Sequence, residues 1–144
     1  RTDMTPKVVN VKLAGTMLRV GPSLQFDPAK GLRRIEFRLD PASKLVWAEG
    51  NDHPNRHAFT VVQSNTKKDP LTAQPPIDGG KTLVVNNAHY DEGTAGDIVY
   101  ALCAAEPIAS GGFRYYYTGI VDFTQPRSGG MRPIDSPVII NKGH

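Results

Sequence analysis

Apolar and polar residues alternate with a period of two along most of the chain. Between residues 32 and 39, Ile35, Phe37 and Leu39 fall on one face and Arg34, Glu36 and Arg38 on the other. Between residues 7 and 13, Val9, Val11 and Leu13 alternate with Val8, Asn10 and Lys12. Successive side chains of a strand project to opposite sides, so each segment reads as a strand with one buried and one wetted face. The same reading predicts strands over 44–49, 57–63, 81–87, 97–104, 113–123 and 137–140. A short segment, 16–20, is placed to pair with the first strand across Ala14-Gly15.

Proline and glycine separate these runs, at Pro22, Asp27-Pro28, Asp40-Pro41, Asp69-Pro70, Pro75-Pro76, Gly79-Gly80, Gly111-Gly112 and Gly129-Gly130. Both residues interrupt helices and sheet ladders. No window carries a helical stripe for three turns, and a single turn is expected near Asp27–Lys30. The pattern predicts one all-β domain over residues 1–144: an antiparallel β-sandwich of seven to nine strands, immunoglobulin-like or cupredoxin-like. Its expected core draws on Val9, Val11, Ile35, Phe37, Leu39, Trp47, Val61, Val84, Ile98, Tyr100, Leu102, Tyr115 and Ile139. The longest breaks, 64–80 and 124–136, are where such a scaffold carries binding groups.

The aromatic run Phe113-Arg114-Tyr115-Tyr116-Tyr117 supplies the candidate ligand-binding residues. Phe113, Tyr115 and Tyr117 share one face, and Arg114 and Tyr116 share the other. With Tyr115 in the core, Tyr116 faces outward beside Arg114 as a platform for a sugar ring or a protein partner.

Composition narrows the classes. The 144 residues carry 17 Lys and Arg against 14 Asp and Glu, a formal charge of +3. The cations are scattered apart from Arg33, Arg34 and Arg38, whereas phosphate binders gather theirs in one patch. Exposed stacking aromatics do not interleave with that stripe, so nucleic acid is not an expected partner. No apolar run approaches the ~18 residues of a membrane span. The lone Cys103 cannot form an internal disulfide, which favours a reducing, cytoplasmic setting. It lies in the apolar run 98–104 and reads as a small buried hydrophobe. No signal peptide and no N-x-S/T acceptor site is visible.

The sequence offers three chemistries. His53, His57 and His89 are the candidate metal ligands, with Asp91 beside the last. Zinc needs three or four converging donors, and Pro54 makes the His53–His57 segment a loop, so the four-residue spacing places nothing on one face. A copper site is disfavoured because no His follows Cys103 before His144. The Gly79-Gly80-Lys81-Thr82 run resembles a phosphate loop, but Pro75 stands where the first glycine is required and a strand follows it instead of a helix. No Gly-x-Ser-x-Gly elbow is present. No catalytic residue, metal or cofactor is assigned.

The second half also carries a recurring arrangement: Gly96-Asp97 opening an apolar strand, the link Ser110-Gly111-Gly112 before the aromatic strand, and the close Asp135-Ser136-Pro137-Val138-Ile139-Ile140-Asn141. Together with Ile35–Leu39 it resembles the small bacterial β-sandwich proteins of the DP-EP type. That resemblance implies an immunoglobulin-like or cupredoxin-like sandwich and carries no established activity. The expected function is a non-catalytic interaction or self-assembly module, associating through a strand edge or the aromatic face. The alternatives are a carbohydrate- or small-ligand-binding sandwich and a metal-dependent hydrolase built on the loop histidines.

Overall fold

The computed structural model describes residues 5–49, 57–119 and 136–143. The protein is all-β, with 53% of the described residues in strands or isolated bridges. The described residues hold no α-helix and one 3-10 turn, Glu92–Thr94. Eleven strands follow in chain order: β1 (Lys7–Ala14), β2 (Met17–Arg19), β3 (Leu24–Phe26), β4 (Arg33–Leu39), β5 (Val46–Trp47), β6 (Phe59–Ser64), β7 (Leu71–Ala73), β8 (Thr82–Asn87), β9 (Gly96–Pro107), β10 (Phe113–Tyr117) and β11 (Val138–Asn141). They form one mixed sheet in the order β3-β11-β9-β10-β2-β1-β4-β8-β7, with β5 and β6 joined to β9 off that path.

Two strands hold this arrangement together by changing partners along their length. β1 pairs with β4 through Lys7–Val11 and then with β2 through Lys12–Ala14. β9 pairs first with β11 and β6, and later with β10 and β5. The sheet folds over itself, so that unpaired strands meet: the Phe37 ring on β4 lies 5.6 Å from that of Tyr100 on β9. Ile35, Phe37, Val85, Leu102 and Ile139 are fully enclosed between them. Each such side chain contributes about 1.5–3 kcal/mol relative to leaving it in water. The indole of Trp47 is also enclosed, and its Nε1–H is shared between the carbonyls of Phe37 and Lys81, each at 3.1 Å. A buried donor left unmatched would be costly, so this pairing is what admits tryptophan to the core.

Several expectations need correction. The sheet is mixed, not antiparallel: β1 with β4, β2 with β10, and β3 with β11 run parallel. Parallel neighbours need a crossover, and β2 and β3 lie within the connection from β1 to β4. The described residues form eleven strands, two of which, β3 and β7, three residues each, fall outside the expected set. The turn expected near Asp27–Lys30 is absent. The helical turn stands at Glu92–Thr94, where Asp91 accepts from the Gly93 amide at 2.8 Å and closes a capping box with Thr94. Val84 is buried, but opposite the core cluster, and Val61 only borders the cluster. Residues 120–123 of the expected aromatic strand and most of the 124–136 break lie outside the described residues.

The two ends of the strand path are short. β3 lies between Pro22 and Pro28, and the Lys7 ammonium takes the Gln25 carbonyl at 3.2 Å. β7 lies between Pro70 and Pro75-Pro76. Short strands, proline and lysine all discourage edge-to-edge pairing.

Candidate functional site

The candidate site forms where β4 ends. Pro41 has no N–H for the ladder, and Asp40 turns the chain: its Oδ1 accepts from the Ala42 amide at 2.9 Å and its carbonyl from the Ser43 amide at 3.0 Å. On the neighbouring side, β1 leaves β4 after Val11 and continues toward β2. On the other, β8 begins only at Thr82, after the turn Ile77–Lys81. The strands that cover the core elsewhere therefore diverge here. A cleft of about 990 Å³ opens over Val11, Leu13, Leu39 and Leu45. Lys12, Arg38, Lys44 and Lys81 contribute cations to its lining, and Asp40, Asp78 and Glu106 contribute carboxylates.

Lys81 fixes one wall. Its ammonium donates to the carbonyls of Ser43 at 2.6 Å and Leu45 at 2.5 Å, tying the segment after β4 to the start of β8. The turn before it passes through Asp78, Gly79 and Gly80 with positive φ of 55°, 66° and 85°. At Gly80 a Cβ would lie 3.0 Å from that of Val46, so this position requires glycine for space as well as conformation. The run that resembled a phosphate loop is thus a plain turn into a strand, with its lysine directed at backbone oxygen.

The β9–β10 hairpin contributes one residue to the cleft, Glu106 near the end of β9. Arg114 pairs with Glu106 and Tyr116 with Ala104, so these side chains share a face, and Glu106 reaches the cleft. The Tyr116 hydroxyl lies 3.4 Å from Glu106 Oε1. The face assignment made from sequence is inverted here. Tyr116 is half-buried and packs against the core, whereas Tyr115 lies outside the core cluster on the other face with Phe113, ring centroids 6.3 Å apart. Tyr116 is therefore not an outward platform, although Arg114 beside it is exposed. Phe113 and Tyr115 border a second, shallower hollow of about 270 Å³ with Val46 and the Gly79-Gly80 turn.

The stripe Arg34–Glu36–Arg38 is an ion-pair cluster on the face of β4 away from the core. Arg34 Nε lies 2.8 Å from Glu36 Oε2, and Arg38 Nη2 lies 2.5 Å from Oε1. The hydrogen bond from Arg38, with that from Arg34, holds the Glu36 carboxyl below the ordinary glutamate range, against the opposing effect of burial.

Of the candidate histidines, the two described, His57 and His89, lie in different surroundings. His53 lies outside the described residues. His57 is exposed at a bridge with Glu49. His89 is 1% exposed and has both ring nitrogens engaged: Nε2 donates to the Lys142 carbonyl at 2.6 Å, and Nδ1 lies 2.9 Å from Thr94 Oγ1. Its sequence neighbour Asp91 is directed at Lys68 and Gly93 instead. Among the described residues no group of three or more His, Cys, Asp or Glu is placed to hold a metal ion, and no helix is long and apolar enough to cross a membrane.

Sequence reasoning missed the cleft. Leu13, Lys44, Lys81 and Glu106 come from four separate segments and form no local motif. The available signal was Leu13 at the far end of an apolar alternation, just before the Ala14-Gly15 turn. No protein-family model, no curated protein and no solved structure is detectably similar to the chain.

Proposed function

We propose that the protein is a non-catalytic β-sandwich binding module, immunoglobulin-like or cupredoxin-like in plan, that holds a small ligand in the cleft at the end of β4. One observation carries this reading: an opening of about 990 Å³ combines an aliphatic floor with a charged rim. Small-molecule sites characteristically pair a concave apolar surface with a few placed polar groups. Arg114 and Tyr116, the residues singled out from sequence, do not line this opening themselves but share a face with Glu106, which does.

The test is a small-molecule screen that includes sugars, read by the fluorescence of Trp47, the sole tryptophan. Its indole contacts the Lys81 carbonyl at the cleft wall. Hits should lose at least about tenfold in affinity on Leu13→Phe, which narrows the opening from a position already 37% exposed and leaves Trp47 the sole tryptophan. Hits that bind this variant undiminished would refute the cleft as the site.

Self-association is the second reading. It draws on Ile108 and Phe113, exposed near the hairpin tip, while the blunted strand-path ends speak against pairing there. Light scattering across a dilution series tests it, and a monomer at every concentration removes it.

A further inference from the structure

We propose that the ligand of this cleft is an aliphatic carboxylate, held with its hydrocarbon body on the floor and its head at the lysine rim. This deepens the binding reading above and rests on it. The floor is Val11, Leu13, Leu39 and Leu45, and among the described residues no aromatic ring lines the cleft. Sugars and nucleobases are characteristically held by stacking on rings. A surface of branched aliphatic side chains offers no such platform and suits a flexible hydrocarbon.

The rim decides the head. Lys12 and Lys44 face solvent and have no hydrogen-bond or ion-pair partner among the described residues. The acids differ. Asp40 is occupied by the Ala42 amide, and Glu106 accepts from the Tyr116 hydroxyl. Arg38 is held by Glu36, and Lys81 by two backbone carbonyls. Formal charges around the opening nearly balance, but the groups left free do not: two ammonium groups, Lys12 and Lys44, stand against one carboxylate, Asp78. The lysine stems can lie along the apolar wall while the ammonium groups close over an oxyanion.

The experiment titrates the full chain with octanoate, octanol and octyltrimethylammonium, reading the methyl resonances of Leu13, Leu39 and Leu45. Octanoate should shift these methyls selectively and bind about fivefold more tightly than octanol, the scale expected of two solvent-exposed charge contacts. The cationic surfactant should bind most weakly. In the double variant Lys12→Gln, Lys44→Gln the ratio of octanoate to octanol affinity should fall to about one, and raised salt should reduce it in the unaltered chain. Octanol or the cation binding these methyls as well as octanoate would overturn the head-group assignment and leave the cleft as a binding site. Shifts from none of the three would overturn the aliphatic class, and the broader screen would then decide whether the cleft binds anything.

Discussion

The two ends of β4 and β8 solve the same problem in opposite ways. At one end the core is closed by buried polar side chains. Asn87 donates to Asn141 Oδ1 at 2.8 Å, and Asn141 returns bonds to Asn87 Oδ1 at 3.2 Å and the Thr94 carbonyl at 3.0 Å. His89 adds its two contacts to Thr94 and Lys142. At the other end, Leu39 and Leu45 lie beneath an opening and Leu13 is 37% exposed. A satisfied polar network fixes one geometry and admits nothing else. An aliphatic surface left partly uncovered specifies less and leaves room for a ligand. The difference teaches where to look for function: at the end where burial is incomplete.

The contrast can be broken most severely at the closed end. Asn141→Ala should cost about 3 kcal/mol in chemical denaturation, because it leaves the Asn87 amide and the Thr94 carbonyl buried without a partner. A loss under about 1 kcal/mol would show that the network does not close the core.

Glu36 lies between the two ends, and its effect should be intermediate. Folding favours its ionised form, so its contribution is complete above the unfolded-chain value of about pH 4.3 and is lost as pH falls through the lowered folded value. Glu36→Gln should lower stability near neutrality by about 1 kcal/mol and flatten the acid limb of the stability profile. An unchanged acid limb would remove this cluster from the account.

Smaller still is Leu13→Ser at the open end, which should change stability by about 0.5 kcal/mol or less, since the side chain is already partly in water. Hydrogen exchange sharpens the comparison further: amides of Ile139–Asn141 should be protected far longer than those of Leu13 and Ala14. Equal protection would mean that the ends do not differ in local stability.

Much of the fold was legible in the sequence because β1, β4, β8 and β9 expose their period of two directly. What alternation cannot supply is the sign of a face when both candidates are alike. Tyr115 and Tyr116 are chemically identical, and both stand opposite alanine on β9, Ala105 and Ala104. Only the tertiary arrangement puts Tyr116 against the core. β3 and β7 were missed because three residues hold no measurable period, and the parallel pairings because strand direction leaves no local trace. The pairing of His89 with Asp91 by sequence proximity misled for a related reason: the imidazole's partners are Thr94 and the carbonyl of Lys142, 53 residues away. The cleft was illegible because it is made by strands parting company, an event with no residue signature.

β9 hydrogen-bonds to four other strands over twelve residues. Peeling any one neighbour from it uncovers backbone that the remaining three help to shield. The chain is therefore expected to melt as a single unit, without a stage in which half the structure survives. Because β9 must also recruit partners as distant in sequence as β5 and β11, its assembly from the denatured ensemble should be slow, with refolding on the millisecond-to-second scale typical of long-range strand topologies.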